Sequence, residues 1–213
     1  MNTPVPSKQP IRYLALGDSY TIGESVPENE RWPNQLAELL QSSPRPGEIE
    51  GGIQVTIIAR TGWTTAELWQ GIQAQEISPP YDMVSLLIGV NNQYRGNDID
   101  EYRGQFRFLL EKAIEYAGED AGRVFVLSIP DWGVTPFADG RDREKVAEEI
   151  DAFNAVNLEE SLKAGVSYAD VTPVSREAVH DPSLIAGDGL HPSGKMYAEW
   201  AKLALPVALK ILE

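Results

Sequence analysis

The sequence predicts an α/β protein, a mostly parallel sheet of five strands whose connections are helices. Short runs rich in Val, Ile and Leu alternate with longer amphipathic stretches along the whole chain, the pattern of strands joined by crossover helices. Helix-opening signals fall between the strand-like runs. The length of 213 residues suits one good core, so a single domain over residues 1–213 is expected, with about residues 1–10 as a flexible N-terminal extension.

Taken in order, strands are expected over residues 11–16, 53–59, 83–88, 124–128 and 166–169. Between them, "TTAE" at Thr64 to Glu67 has the spacing of a capping box and opens a helix through about Gln73. "DIDE" at Asp98 to Glu101 opens another toward Ala117. A third long helix is expected over residues 142–164, ended by Gly165, and the last runs from about Ser193, bent or interrupted by Pro206. The stretch "PDWGVTPFADGRD" is too rich in Pro and Gly for a helix, and a loop of that length usually carries a function.

Composition narrows the function classes. Apolar residues make up 42% and charged residues 23%, as in a folded globular chain. A net charge of −14 repels phosphate backbones and anionic lipid head groups, so neither a nucleic-acid partner nor stable membrane association is expected. There is no cysteine, hence no disulfide and no thiolate nucleophile. "MNTPVPSKQP" lacks the apolar core of a secretory signal, and a cytoplasmic location is the expectation.

Sheets of this kind bind ligands in the crevice at the carboxyl ends of their strands. The polar motifs sit there: "GDS" after the first strand, "RTGW" after the second, "GVNN" after the third, and "DGLHP" before the last helix. Ser19 is a weak nucleophile that needs a base within hydrogen-bond reach. Of the two histidines, His191 lies in "DGLHP", where Pro192 suits the first turn of the final helix. Asp188, three residues earlier, can orient the imidazole and stabilise its protonated form. Acyl transfer also creates an oxyanion. Backbone N–H groups of Ser19 and Gly62 and the side-chain amide of Asn91 are suitable donors for it.

"GDSY" at Gly17 to Tyr20, Gly62, "GVN" at Gly89 to Asn91 and "DGLH" at Asp188 to His191 resemble, in order and separation, the four signature blocks of the GDSL or SGNH hydrolases. The resemblance implies a three-layer α/β/α sandwich with a flavodoxin-like five-stranded parallel sheet. It also implies catalytic Ser19, His191 and Asp188, and an oxyanion hole of Ser19, Gly62 and Asn91. Where the family often has Asp after the third-block Asn, this chain has Asn92.

The expected function is therefore hydrolysis of small or short-acyl carboxylic esters through an acyl-enzyme, with a small-molecule ester as partner and no cofactor. Trp63, Trp132 and Phe137 fall in loops on the same edge and are candidates to line the substrate pocket. Trp32 and Trp69 read as packing residues, Asp18 as a turn former, and His180 as part of a surface turn. No metal site is expected, because the His and Asp residues near the C-terminus match no ligand motif. The alternative is a flavodoxin-like phosphate- or nucleotide-binding module without catalysis, using the hydroxyl-rich "SYTIGE". The oligomeric state is not encoded in any motif.

Overall fold

The computed structural model describes residues 9–43 and 51–213, so the expected extension over residues 1–10 lies, but for its last two residues, outside the described part. Five strands form the sheet: β1 (Ile11–Gly17), β2 (Ile53–Ala59), β3 (Met83–Leu87), β4 (Val124–Leu127) and β5 (Ser167–Ala169). Their order is β2-β1-β3-β4-β5 and every pairing is parallel. β3 and β4 are buried along their whole length, and β1 from Tyr13 onward. Near-continuous burial of this kind requires helices on both faces of the sheet.

Eight helices are described: α1 (Ser19–Ile22), α2 (Trp32–Ser42), α3 (Thr65–Gln73), α4 (Val90–Tyr94), α5 (Ile99–Tyr116), α6 (Arg143–Lys163), α7 (Thr172–Arg176) and α8 (Gly194–Ile211). The β1-to-β2 crossover runs in one direction across the sheet; those from β2 to β3, β3 to β4 and β4 to β5 run in the other. Right-handed crossovers then place α2 on one face and α3, α5 and α6 on the opposite face. α8 returns to pack on α2, while α5 packs on α3 and α6. Trp32, Trp200, Tyr102 and Phe106 fill the two interfaces between sheet and helices.

The helix openings follow their sequence signals. Thr64 and Glu67 close a reciprocal capping box at α3; Asp98 caps α5 and Asp142 caps α6 through their side chains. Two expectations at the last helix are corrected. α8 runs through Pro206 without interruption; Pro206 and Lys202, the position four before it, are both exposed. Pro192 lies before the helix, not in its first turn: it forms an isolated bridge with Ile185, and Ser193 caps the helix by accepting from Met196 N.

The long loop after β4 holds two short 3₁₀ turns, Trp132–Val134 and Pro136–Ala138, and no α-helix. Among the described residues, no helix is long and apolar enough to cross a membrane.

Candidate active site

Register brings the ends of the first three strands level: Gly17 pairs with Ala59 on one side and with Leu87 on the other. The segments leaving these three strands therefore emerge side by side. At Gly17 a Cβ would overlap both Thr21 Oγ1 and the Leu87 carbonyl, so only glycine lets the chain turn here into α1.

Ser19 is the first residue of α1 and is almost fully buried. Asp18 caps this helix, its Oδ1 accepting from Tyr20 N at 3.0 Å. Its Oδ2 is buried without a partner. Burial pushes the Asp18 carboxyl up to about 7, only partly countered by hydrogen bonds from the backbone of Tyr20 and of Asp18 itself. The acid beside Ser19 is thus poised between its two forms near neutrality.

His191 is delivered by the segment before α8. That segment is pinned by the Ile185–Pro192 bridge, by Ala186 N donating to His191 O at 2.7 Å, and by Phe137 N donating to Gly189 O at 2.9 Å. Asp188 organises the turn. Its Oδ1 accepts from the N–H groups of Leu190 and His191 at 2.9 and 3.0 Å, and its Oδ2 lies 2.6 Å from His191 Nδ1. Burial raises the Asp188 carboxyl, but hydrogen bonds from Ser25, the His191 ring and the two backbone N–H groups outweigh it and hold the group well below the usual carboxylate range. An ionised Asp188 can only accept, so Nδ1 carries the proton and Nε2 is the acceptor. Tyr20 supports the imidazole edge-on, at 5.8 Å between ring centroids.

Arg60 to Trp63 form a tight turn closed by Trp63 N donating to Arg60 O at 3.2 Å. Gly62 sits at its third position with φ +85°, as a type II turn requires. Arg95, just past α4, donates to the Gly62 carbonyl at 2.5 Å and pairs with Glu67 at 3.1 Å, fixing the plane of that peptide group. Asn91 Nδ2 donates to the Trp63 carbonyl at 3.0 Å, which spends one amide hydrogen and leaves the other for a ligand. Asn92, next in sequence, is buried and clasps Thr65: it accepts from Thr65 N at 3.0 Å and donates to Thr65 Oγ1 at 2.8 Å. It fastens α4 to the start of α3.

Ser19, Gly62, Asn91 and His191 line one cavity of about 150 Å³, together with Tyr20, Thr61, Val90, Tyr94, Trp132, Phe137 and Leu190. Ser19 and His191 share this cavity, although no hydrogen bond joins them among the described residues.

Two of the three candidate pocket aromatics, Trp132 and Phe137, lie in the cavity wall. Trp63 does not. Its indole packs over Gly71 of α3, where a Cβ would strike the ring, and the residue serves the site through its carbonyl alone. Tyr94 takes the place expected of Trp63, with its ring 5.4 Å from Trp132 and 6.1 Å from Phe137. The sequence reading missed Tyr94, Val90 and Leu190. Their signal was proximity: each lies within three residues of Asn91 or His191. Trp132 is held by Nε1 donating to Gln93 Oε1 at 2.8 Å, and Gln93 in turn donates to Glu149 at 2.7 Å.

Comparison with known proteins places the chain in a family. Residues 15–199 match the model of the GDSL-like lipase/acylhydrolase family, a stretch reaching from β1 into α8. Among solved structures, an acetylxylan esterase from Geobacillus stearothermophilus is similar at a TM-score of 0.71 and 20% identity, covering 96% of this chain and 96% of that one. A member of the lipolytic G-D-S-L family from Veillonella parvula is similar at 0.68 and 18%, covering 92% and 97%. A psychrotrophic esterase from Pseudoalteromonas is similar at 0.68 and 15%, covering 95% and 98%. No curated protein sequence matches. The chain belongs to the GDSL-like lipase/acylhydrolase family and is a carboxylic ester hydrolase.

Proposed function

We propose that the protein hydrolyses small or short-acyl esters through an acyl-enzyme formed on Ser19. The observation that carries this reading is the common cavity of Ser19, Gly62, Asn91 and His191, with the imidazole anchored 2.6 Å from an ionised Asp188. In this mechanism Ser19 Oγ attacks the ester carbonyl carbon while His191 Nε2 takes the hydroxyl proton. The C=O π bond opens to an oxyanion, which the N–H groups of Ser19 and Gly62 and the spare amide hydrogen of Asn91 receive. Collapse expels the alcohol, which leaves with the proton from His191, and water repeats the sequence to release the acid.

Cavity size supports a small substrate. An apolar cavity of about 150 Å³ holds a group of roughly benzene size, enough for an acyl chain of about six carbons. Beyond it, Tyr94 and Phe137 are exposed, so a larger alcohol moiety has an aromatic rim to lie against. One protein of similar structure is an acetylxylan esterase, and an acetyl group fits well inside this space. The phosphate-binding alternative is less favoured, because no Lys or Arg is among the lining residues and Asp188 and Asp18 stand behind them.

The test is turnover of p-nitrophenyl esters of increasing acyl length, with and without Ser19→Ala. Acetate and butyrate turn over, activity falls beyond about six carbons, and a phosphonate probe labels Ser19. Turnover that survives Ser19→Ala, or label found on another residue, overturns the proposal.

A further inference from the structure

We infer that Ser25 is a positioning residue for the base, acting through Asp188; the inference rests on the catalytic reading just proposed. Ser25 lies in the turn that follows α1, 163 residues from Asp188 in sequence, and its hydroxyl donates to Asp188 Oδ2 at 2.6 Å. This is the oxygen that faces His191 Nδ1. With the two backbone N–H groups on Oδ1, the carboxylate is held at both oxygens, and Ser25 supplies the contact that is not local to the Asp188 turn.

The backbone at Ser25 is special. Its φ is +66°, and Ser25 and Glu119 are the non-glycine residues in this region among those described. An L-residue with a side chain is disfavoured there, and such outliers concentrate at functional sites. The turn is also tied to the nucleophile: Gly23 N and Glu24 N both donate to the Ser19 carbonyl at 3.0 Å. Glu24 accepts from Thr61, the residue before Gly62. One short turn therefore links the nucleophile, the oxyanion turn and the triad acid. A glycine would satisfy the backbone better; serine there provides the hydroxyl.

Donation from Ser25 has two effects on the pair. It fixes the plane of the carboxylate, and it spreads the charge on Oδ2, which weakens the pull of Asp188 on a protonated imidazole. Removing the hydroxyl should therefore lower kcat and shift the acid limb of the kcat/KM profile to higher pH. Among the described residues, Tyr20 and Tyr197 interact electrostatically with Asp188, and through them Asp18, Asp131 and Glu24 are linked to the pair. They are common to wild type and variant, so the difference between profiles isolates the hydroxyl.

The experiment compares Ser25→Gly and Ser25→Thr on the full chain. Ser25→Gly should keep a Tm within a few degrees of wild type, because glycine's relief at φ +66° offsets the lost hydrogen bond to Asp188. Its kcat should nevertheless fall about fivefold to tenfold with KM little changed, and its acid limb should move up by about half a pH unit. Ser25→Thr, β-branched and worse placed at this φ, should lose Tm yet restore most of the kcat. Stability and activity then move in opposite directions, which a merely structural role would not produce. A Ser25→Gly enzyme with wild-type kcat and pH profile overturns the inference, as does equal loss of kcat in both variants. Ser19→Ala, assayed alongside, separates the premises: activity surviving there removes the catalytic reading, whereas activity lost there but intact in Ser25→Gly removes only the role given to Ser25.

Discussion

Replacing Asp18 by Asn tests the electrostatics behind the nucleophile. The Asp18 side chain is fully buried, one oxygen caps α1 and the other has no partner. Burial lifts its carboxyl from the ordinary 3.8 to about 7. A folded-state value raised above the unfolded one means that the contribution to stability is full below pH 3.8 and is lost as pH rises through about 7. At 1.36 kcal/mol per pH unit the whole interval is worth about 4 kcal/mol, of which about 3 falls between pH 4.5 and 8.5. Asn keeps the acceptor for Tyr20 N, is an equally good cap, and carries no charge at any pH. The stability of Asp18→Asn relative to wild type should therefore improve by about 3 kcal/mol on going from pH 4.5 to 8.5. Urea unfolding at the two pH values measures this difference, and titrations common to both proteins cancel in it. A relative stability that stays constant across that range would show that Asp18 is solvated or paired in the fold, and the reasoning would fail.

Other perturbations address the remaining parts of the site. His191→Ala should remove nearly all turnover of a p-nitrophenyl ester, as Ser19→Ala does, and the double variant should be no worse than either single one. Asp188→Asn should cost about a thousandfold in kcat: its carbonyl is claimed by the N–H groups of Leu190 and His191, so its NH₂ faces Nδ1 and favours the wrong tautomer. In Gly62→Ala the nearest neighbour of the new methyl is Arg95 Nη2 at 3.9 Å, so the φ of +85° and not a clash sets the cost. A loss of about 1 kcal/mol in unfolding free energy, with a drop in kcat, is the expected outcome. Phe137→Ala, at a rim position 45% exposed, should leave Tm almost unchanged while lowering kcat/KM for esters of large alcohols relative to those of small ones.

The parts of the fold legible in the sequence were those with strong local chemistry. Strand limits fell within a residue of those observed, because β1, β3 and β4 are largely apolar runs closed by a Gly or Ser at their end or within two residues of it. α3, α5 and α6 announced themselves through Thr64, Asp98 and Asp142. α2 was not read, since Arg31 makes no side-chain cap and Trp32, Leu36 and Leu40 mark a face that packing on α8 explains better than any opening signal does. α4 and α7, five residues each, are too short for a helical period to show. At the candidate site, the residues that the structure brings together, Ser19, Gly62, Asn91 and His191 with Asp188 bonded to the last, had been picked out by their place after strands or before the last helix. Trp63 was misplaced for a physical reason: neighbours in sequence point to different sides of a turn, and its ring found Gly71. Ser25 was invisible, because a hydrogen bond spanning 163 residues leaves no local pattern.

What the fold contributes to the chemistry is a division of labour between segments held by the sheet and one held by a loop. Parallel register sets Ser19, Gly62 and Asn91 at a common height, each one short turn beyond a strand buried beneath it or beside it. In the proposed mechanism these are the groups that must not move as charge develops on the substrate oxygen, because donors already in place cost no reorganisation during the reaction. The proposed base, His191, arrives differently, on an irregular segment after the sheet is complete, and no strand fixes its height. Its position depends instead on discrete ties: the Ile185–Pro192 bridge, the Gly189 carbonyl accepting from Phe137, and Ser25 on Asp188. Since the rigid half is set by sheet pairing and the base by a few hydrogen bonds, substitutions in those ties should alter proton transfer before they alter the fold.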